Sequence, residues 1–168
     1  NRQQLLSSCG KYRNEKVLVE RYFAGNGMGV SVLSRDGNVL TAFQHRRIHE
    51  TASGSSYRKS EPLDAGLLSA VKSLCRETDY TGLAMFEFRR NDATRKWILL
   101  EVNARPWGSL PLAIASGIDF PLSAYQVLNS EKVTVKTGYV PGVFSRSLRE
   151  DLYYYAHEFK GFKRFLTL

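Results

Sequence analysis

Cysteine and histidine are scarce in this chain, and each shortage removes a class of explanation. With 2 Cys among 168 residues there is neither a disulfide framework nor a cysteine-rich zinc pattern. Cys9 and Cys75 read as free thiols of a reducing cytoplasm. Among the 3 His, His45 and His49 have no Cys or third His at ligand spacing, so they read as exposed loop residues or phosphate contacts, not as zinc ligands. No Ser-His-Asp or Cys-His arrangement compels a covalent mechanism. No apolar run approaches a membrane span, and the opening NRQQLLSSCGKYRNEK carries no apolar stretch of the signal-peptide kind. Gly25, Gly27 and Gly29 are followed by no Gly-Lys-Ser/Thr and lead into a strand, which argues against a Walker loop and a dinucleotide fingerprint. They read as a tight turn.

Acidic residues are outnumbered: 24 Lys and Arg face 16 Asp and Glu, for a net charge of +8. Such a balance points to nucleic acid, an anionic surface or a phosphate-bearing ligand. The basic residues fall in separate clusters (Arg46-Arg47, Arg58-Lys59, Arg89-Arg90 and the tail KGFKRF), so charge alone selects none of these. A content of 43% hydrophobic and 24% charged residues is that of a globular domain. Without an internal repeat or a linker, the expectation is one domain over 1–168.

Periodicity supplies the elements. Residues 15–23, EKVLVERYF, read as a strand. VSVLS and NVLTAFQ read as a hairpin closed at Asp36-Gly37. Residues 45–60 are polar, basic and rich in Ser, and read as a long loop. After Pro62, apolar positions at helical spacing predict a helix to about Glu77. GLAMFEF and KWILLEVN form a second strand pair, followed by two helices divided at Gly117. A short strand pair is expected near 133–143, and an aromatic, basic helical tail over 148–168. This order predicts an antiparallel α+β sheet with helices packed mainly on one side.

One stretch resists a reading as plain core. LLEVNARPWGS places Glu101, Asn103 and Arg105 on one face of a strand that otherwise reads as buried. Glu87 interrupts the preceding strand in the same way, and an antiparallel pairing could set it beside Glu101. Two carboxylates and an amide oxygen are hard donors suited to magnesium, which binds phosphates alongside one or two carboxylates. Arg105 would then meet a phosphate oxygen. The competing reading is a structural network in which both glutamates pair with arginines.

GLAMFEF, LLEVNARPWGSLPLAIASGIDFP, GNGMGVSVL and FQHRRIHE followed by GSSYRKS, in their order along the chain, resemble the C-terminal part of an ATP-grasp ligase. The group they look like is that of carboxylate–amine ligases. The resemblance runs from about Val17 to about Gln126. It implies that Glu87, Glu101 and Asn103 hold Mg²⁺ (Mn²⁺ is the alternative) on ATP, and that Arg105 and Arg47 handle phosphate. It also implies that Glu20, Tyr22 and Phe23 meet adenine, that Arg46 and His49 face the phosphates or second substrate, and that residues 54–59 form an acceptor-side lid. The implied chemistry is phosphoryl transfer to a small carboxylate and attack on the acyl phosphate by an amine or thiol. Family members carry an earlier, ATP-clamping lobe that this stretch does not contain, so it reads as the C-terminal lobe of a longer polypeptide.

A second class of function stays open from sequence: a non-catalytic basic module for nucleic acid or a partner protein, using the charge and the tail aromatics. It predicts salt-sensitive binding indifferent to Glu101→Gln. No membrane partner is expected. The carboxylates speak against nucleic acid, because they would repel phosphate without a metal between.

Overall fold

The computed structural model describes residues 2–10, 12, 15–51, 54–129 and 135–157. A short exposed helix, α1 (Arg2–Gly10), precedes an extended stretch. The sheet then begins with β1 (Asn26–Arg35) and β2 (Asn38–Thr51). Asp36 and Gly37, both at positive φ (48° and 71°), close this hairpin with the twist that two-residue turns favour. Gly37 is required twice over, since a Cβ there would stand 3.0 Å from the Cα of Arg76. β3 (Gly54–Glu61), α2 (Ala65–Glu77), β4 (Gly82–Arg90) and β5 (Trp97–Asn103) follow. The chain continues through α3 (Leu110–Ser116), α4 (Phe120–Asn129), β6 (Phe144–Arg146) and α5 (Leu148–His157). The six strands form one antiparallel sheet in the order β5-β4-β1-β2-β3-β6.

The expected antiparallel α+β sheet is therefore present, with helices on both of its faces. α2 covers one. Its Leu67, Val71 and Cys75 recur at helical spacing and are buried against Met28, Val30, Val32, Ala84, Phe86 and Phe88. Each such aliphatic side chain removed from water stabilises the fold by roughly 1.5–3 kcal/mol. α3 and α4 cover part of the other face, where Leu112, Ala113, Ile118, Phe120 and Val127 surround Leu33, Phe43, Met85 and Trp107. The rest of that face is polar.

Four sequence readings are corrected. Residues 15–23 form no strand: Leu18 is 83% and Tyr22 82% exposed, and an alternating pattern with no neighbour to pair with gives no ladder. The polar stretch 45–60 is mostly strand, because β2 and β3 extend through it as a ribbon that β6 completes. The glycines lie at the head of β1, Gly27 and Gly29 inside the strand, and form no turn. Of the strand pair expected near 133–143, residues 133–134 lie outside the described residues and 135–143 form no strand. The tail is helical over α5, and 158–168 lie outside the described residues.

Asp64 caps α2, accepting from the backbone N–H of Gly66 (2.9 Å) and Leu67 (3.1 Å), while its other oxygen takes Arg90 at 2.9 Å. Replacing it removes a helix cap and leaves Arg90 with Asp92 alone. Asp64→Ala is expected to cost about 1–2 kcal/mol, read as a lowered urea midpoint with an unchanged slope.

Candidate functional site

The polar part of the sheet face is built in cross-strand rows. Glu101 pairs with Glu87, Glu87 with Gly29, Gly29 with His45 and His45 with Ser60, a line across five strands. The next row brings Arg89 opposite Gly27 and Arg47 opposite Arg58. Because Gly27 and Gly29 have no side chains, their neighbours can lie down across β1. A Cβ on Gly29 would stand 2.2 Å from Cε1 of His45, and one on Gly27 would stand 2.5 Å from Oε1 of Glu50.

β5 reaches this face by an irregularity. Phe88 pairs with Leu99 while Glu87 pairs with Glu101, leaving Leu100 as an extra residue. The bulge keeps Trp97 and Leu99 packed on the α2 core and turns Glu101 and Asn103 the other way. β5 is also an edge strand, with Leu100 50% and Val102 46% exposed, so the run that read as buried is half open.

Together these residues line a cleft of about 600 Å³. Its walls carry four arginines (47, 58, 89 and 105) and four glutamates (50, 87, 101 and 150). Arg47 holds Glu87 at 2.5 Å, and Arg89 holds Glu50 at 2.7 Å. Glu50 also accepts from the Gly27 N–H at 2.7 Å. The Asn103 amide nitrogen donates to Glu101 at 2.8 Å and to Glu87 at 3.4 Å, and its oxygen accepts from Arg105 at 3.1 Å. His45 is buried, within 3.3 Å of the Ser109 hydroxyl. Burial first, then the Arg58 and Arg47 charges, push its pKa down to about 3. It is therefore neutral, and the reading of His45 as an exposed loop residue is corrected.

Of the ten site residues expected from sequence, Glu87, Glu101, Asn103, Arg105 and Arg47 come together in this cleft. The other five do not. Arg46 alternates away from Arg47 along β2 and pairs with Asp92 at 3.0 Å. His49 is bonded through Nδ1 to the buried Asp151 at 2.9 Å, against Tyr57. Glu20, Tyr22 and Phe23 lie on the extended stretch outside the cleft. Sequence reasoning set Arg58 in an acceptor-side lid over 54–59, a segment that is instead part of strand β3, and it missed Arg89, Glu50, Ser109 and Glu150 as cleft residues. Two of its walls are nevertheless written as i, i+2 polar pairs, His45 with Arg47 and Glu87 with Arg89, on single strands.

Glu87, Glu101 and Asn103 could hold a hard cation. One oxygen of each carboxylate lies within hydrogen-bond reach of the same amide, and exchanging the amide's N and O would present three oxygens together. Among the described residues no three His, Cys, Asp or Glu side chains are grouped so that they could hold a metal ion by themselves. A cation here would thus have two carboxylates and an amide, completed by water or phosphate.

The chain belongs to the ATP-grasp family described as "ATP-grasp in the biosynthetic pathway with Ter operon", which matches residues 13–145. Its fold is shared with biotin carboxylase from Campylobacter jejuni, solved as a β,γ-ATP complex (TM-score 0.56, 19% identity, 70% of this chain and 29% of that one). It is shared too with the biotin carboxylase domain of a thermophilic 2-oxoglutarate carboxylase bound to bicarbonate (TM-score 0.58, 15% identity, 74% and 30%). Pyruvate carboxylase from Rhizobium etli, solved with acetyl coenzyme A, is similar over 76% of this chain and 14% of its own (TM-score 0.56, 19% identity). This chain therefore spans less than a third of those structures. No curated protein matches the sequence. Among the described residues no helix is long and apolar enough to cross a membrane.

Two outcomes follow from the His45–Gly29 contact. Gly29→Ala forces a methyl group onto a ring with no room to withdraw and is expected to cost about 1–3 kcal/mol. The same change in a His45→Ser background should cost less, a coupling that a double-mutant cycle measures. His45 itself makes stability depend on pH. Its folded pKa lies below its unfolded one, so stability is unaffected above about 6.5 and falls as acid protonates only the unfolded chain. The expected slope between pH 6 and 4 is up to about 1.4 kcal/mol per unit, and urea titrations of His45→Asn should lack that component.

Proposed function

We propose that this cleft is the metal-and-phosphate side of an ATP-dependent carboxylate–amine (or carboxylate–thiol) ligase, in the C-terminal lobe of a longer ATP-grasp polypeptide. The observation that carries the reading is the pairing of Glu87 with Glu101 across β4 and β5, with Asn103 touching both, in an arginine-lined cleft. Like charges set directly opposite one another destabilise a sheet. Structure alone gives no reason to place them so, whereas a cation does.

In this reading Glu87, Glu101 and Asn103 hold Mg²⁺, or Mn²⁺, which when bound neutralises charge on the ATP phosphates and the transferring phosphoryl group. Arg105, exposed at the end of β5, meets a phosphate oxygen, and Arg47 meets another once Glu87 turns to the cation. Both guanidiniums also stabilise the negative charge that spreads over the phosphoryl oxygens as they pass to a small carboxylate. An amine or thiol then attacks the acyl phosphate. Glu20, Tyr22 and Phe23 are assigned to the adenine side, which the earlier lobe of the polypeptide would complete. The small share of each structural relative that the chain covers supports this division. Arg46 and His49, tied up elsewhere, are given no role in phosphate binding. The free thiols of Cys9 and Cys75 accord with a cytoplasmic setting.

The test is calorimetric titration of the chain with a nonhydrolysable ATP analogue, with and without Mg²⁺. Binding should require Mg²⁺ and weaken by about tenfold or more in Glu101→Gln. Binding indifferent to both, or salt-sensitive RNA binding in its place, would sink the ligase reading.

A further inference from the structure

Of the four cleft arginines, three are committed. Arg47 and Arg89 hold carboxylates, and Arg105 is bonded to Asn103 and to the Pro106 carbonyl at the end of its own strand. Arg58 is different. Its guanidinium lies beside Gly108 in the cleft wall, where a Cβ on Gly108 would stand 3.5 Å from Nη2. It makes no hydrogen bond or ion-pair contact with any described residue. Burial disfavours its charge, and the largest opposing influence is Glu150. Glu150 in turn lines the cleft without an ion-pair contact to any described residue. The two attract each other but are not joined.

One chain neighbour of each is anchored. Asp151, next to Glu150, is fully buried and bonded to both His49 and Arg146. Tyr57, next to Arg58, packs on His49, Phe144 and Arg146. These anchored neighbours fix β3 against the first turn of α5, while Arg58 and Glu150 face the cleft. On the cleft wall near them, Trp107 has a buried indole N–H with no acceptor among the described residues. Glu150 also lies beyond residues 13–145, the stretch that the family shares.

We propose that Arg58 and Glu150 form a subsite for a small zwitterion, an amino acid or a close analogue, whose carboxylate binds Arg58 and whose ammonium binds Glu150; the proposal rests on the ligase reading of the same cleft. A half-buried guanidinium and an exposed carboxylate that line one cleft without touching match a ligand carrying both charges. A simple carboxylic acid would leave Glu150 facing a like charge, and a simple amine would leave Arg58 facing one. Either mismatch costs binding, so the pair selects against both.

The probes are the twenty proteinogenic L-amino acids, each titrated at millimolar concentration and read by thermal shift, then by calorimetry for those that stabilise. At least one should bind, and more tightly than its matched des-amino acid and its matched decarboxylated amine. Glu150→Gln should weaken that amino acid about tenfold or more while leaving the des-amino acid unaffected or improved, and Arg58→Gln should weaken both. The midpoint of each variant without ligand checks its folding, and a Glu150→Asp variant, keeping the charge, should recover part of the loss. No binding by any amino acid, equal binding of the des-amino acid, or an unaltered affinity in Glu150→Gln would each overturn the proposal. Nucleotide titration on the same samples separates the two readings. Amino-acid binding without Mg²⁺-dependent nucleotide binding would remove the ligase and keep the subsite, whereas the reverse would remove the subsite alone.

Discussion

Everything on the polar face of this sheet is arranged around two carboxylates that would otherwise repel each other. Glu87 and Glu101 sit opposite one another on neighbouring strands, Glu87 half-buried and Glu101 exposed at the cleft edge. Their repulsion destabilises the sheet unless cations and donors reach it. Arg47 closes on Glu87 from β2, Asn103 bridges both glutamates, and Arg105 orients the asparagine from beyond the end of β5. Arg47 comes from far along the chain, whereas Asn103 and Arg105 belong to β5 and the residues just after it. The glycines of β1 make the longest reach possible: Arg47 crosses the strand between β2 and β4, and any side chain at Gly27 would stand in its way, 2.8 Å from its Cδ.

The same sheet can do this because its two faces are divided between tasks. The α2 face carries an apolar core, so the stability needed to hold charged residues together comes from Leu67, Val71, Phe86 and Phe88 and not from the ion pairs. Half-buried ion pairs contribute little net stability, because desolvation offsets most of their attraction. The bulge at Leu100 shows how the division is enforced. Without the extra residue, Trp97 and Leu99 would turn into the cleft together with Glu101, and the core under β5 would lose two of its side chains.

What could be read from the sequence follows the range of the interactions involved. The Asp36-Gly37 hairpin, the period of α2 and the stop at Gly117 depend on neighbouring residues, and all are written plainly. The Glu87–Glu101 pairing is nearly local as well, since a short turn joins the two strands. By contrast, the second half of β2 and nearly all of β3 read as a loop because their polar residues are satisfied from far away. Arg47 meets a residue of β4, and Ser60 is bonded to the stretch leading into β6. No local pattern records such partners. Misreading the ribbon then hid its alternation, which is why Arg46 was grouped with Arg47 although the two point to opposite faces. The strand-like residues 15–23 fail for the complementary reason: propensity is present, but no partner is. Glu150 gave no signal at all, because only the burial of Asp151 beside it fixes where it stands.

A cleft with as many arginines as glutamates has a further consequence for the proposed function. Four charges of each sign leave it near neutrality before any ligand arrives, and two of the four pairs are in direct contact. A site prepared only for phosphate would carry unpaired arginines, and one prepared only for a cation would carry unpaired carboxylates. Either would tax folding, since uncompensated charge out of water costs several kcal/mol. Binding a cation and a polyphosphate together is instead an exchange. In the proposed function Glu87 would pass from a guanidinium to the cation, and the released Arg47 would pass to phosphate. Neither ligand alone would complete that exchange: the cation would strand Arg47, and phosphate alone would strand Glu87. Cooperation between metal and nucleotide would then arise from the ion pair itself, without any change in the fold.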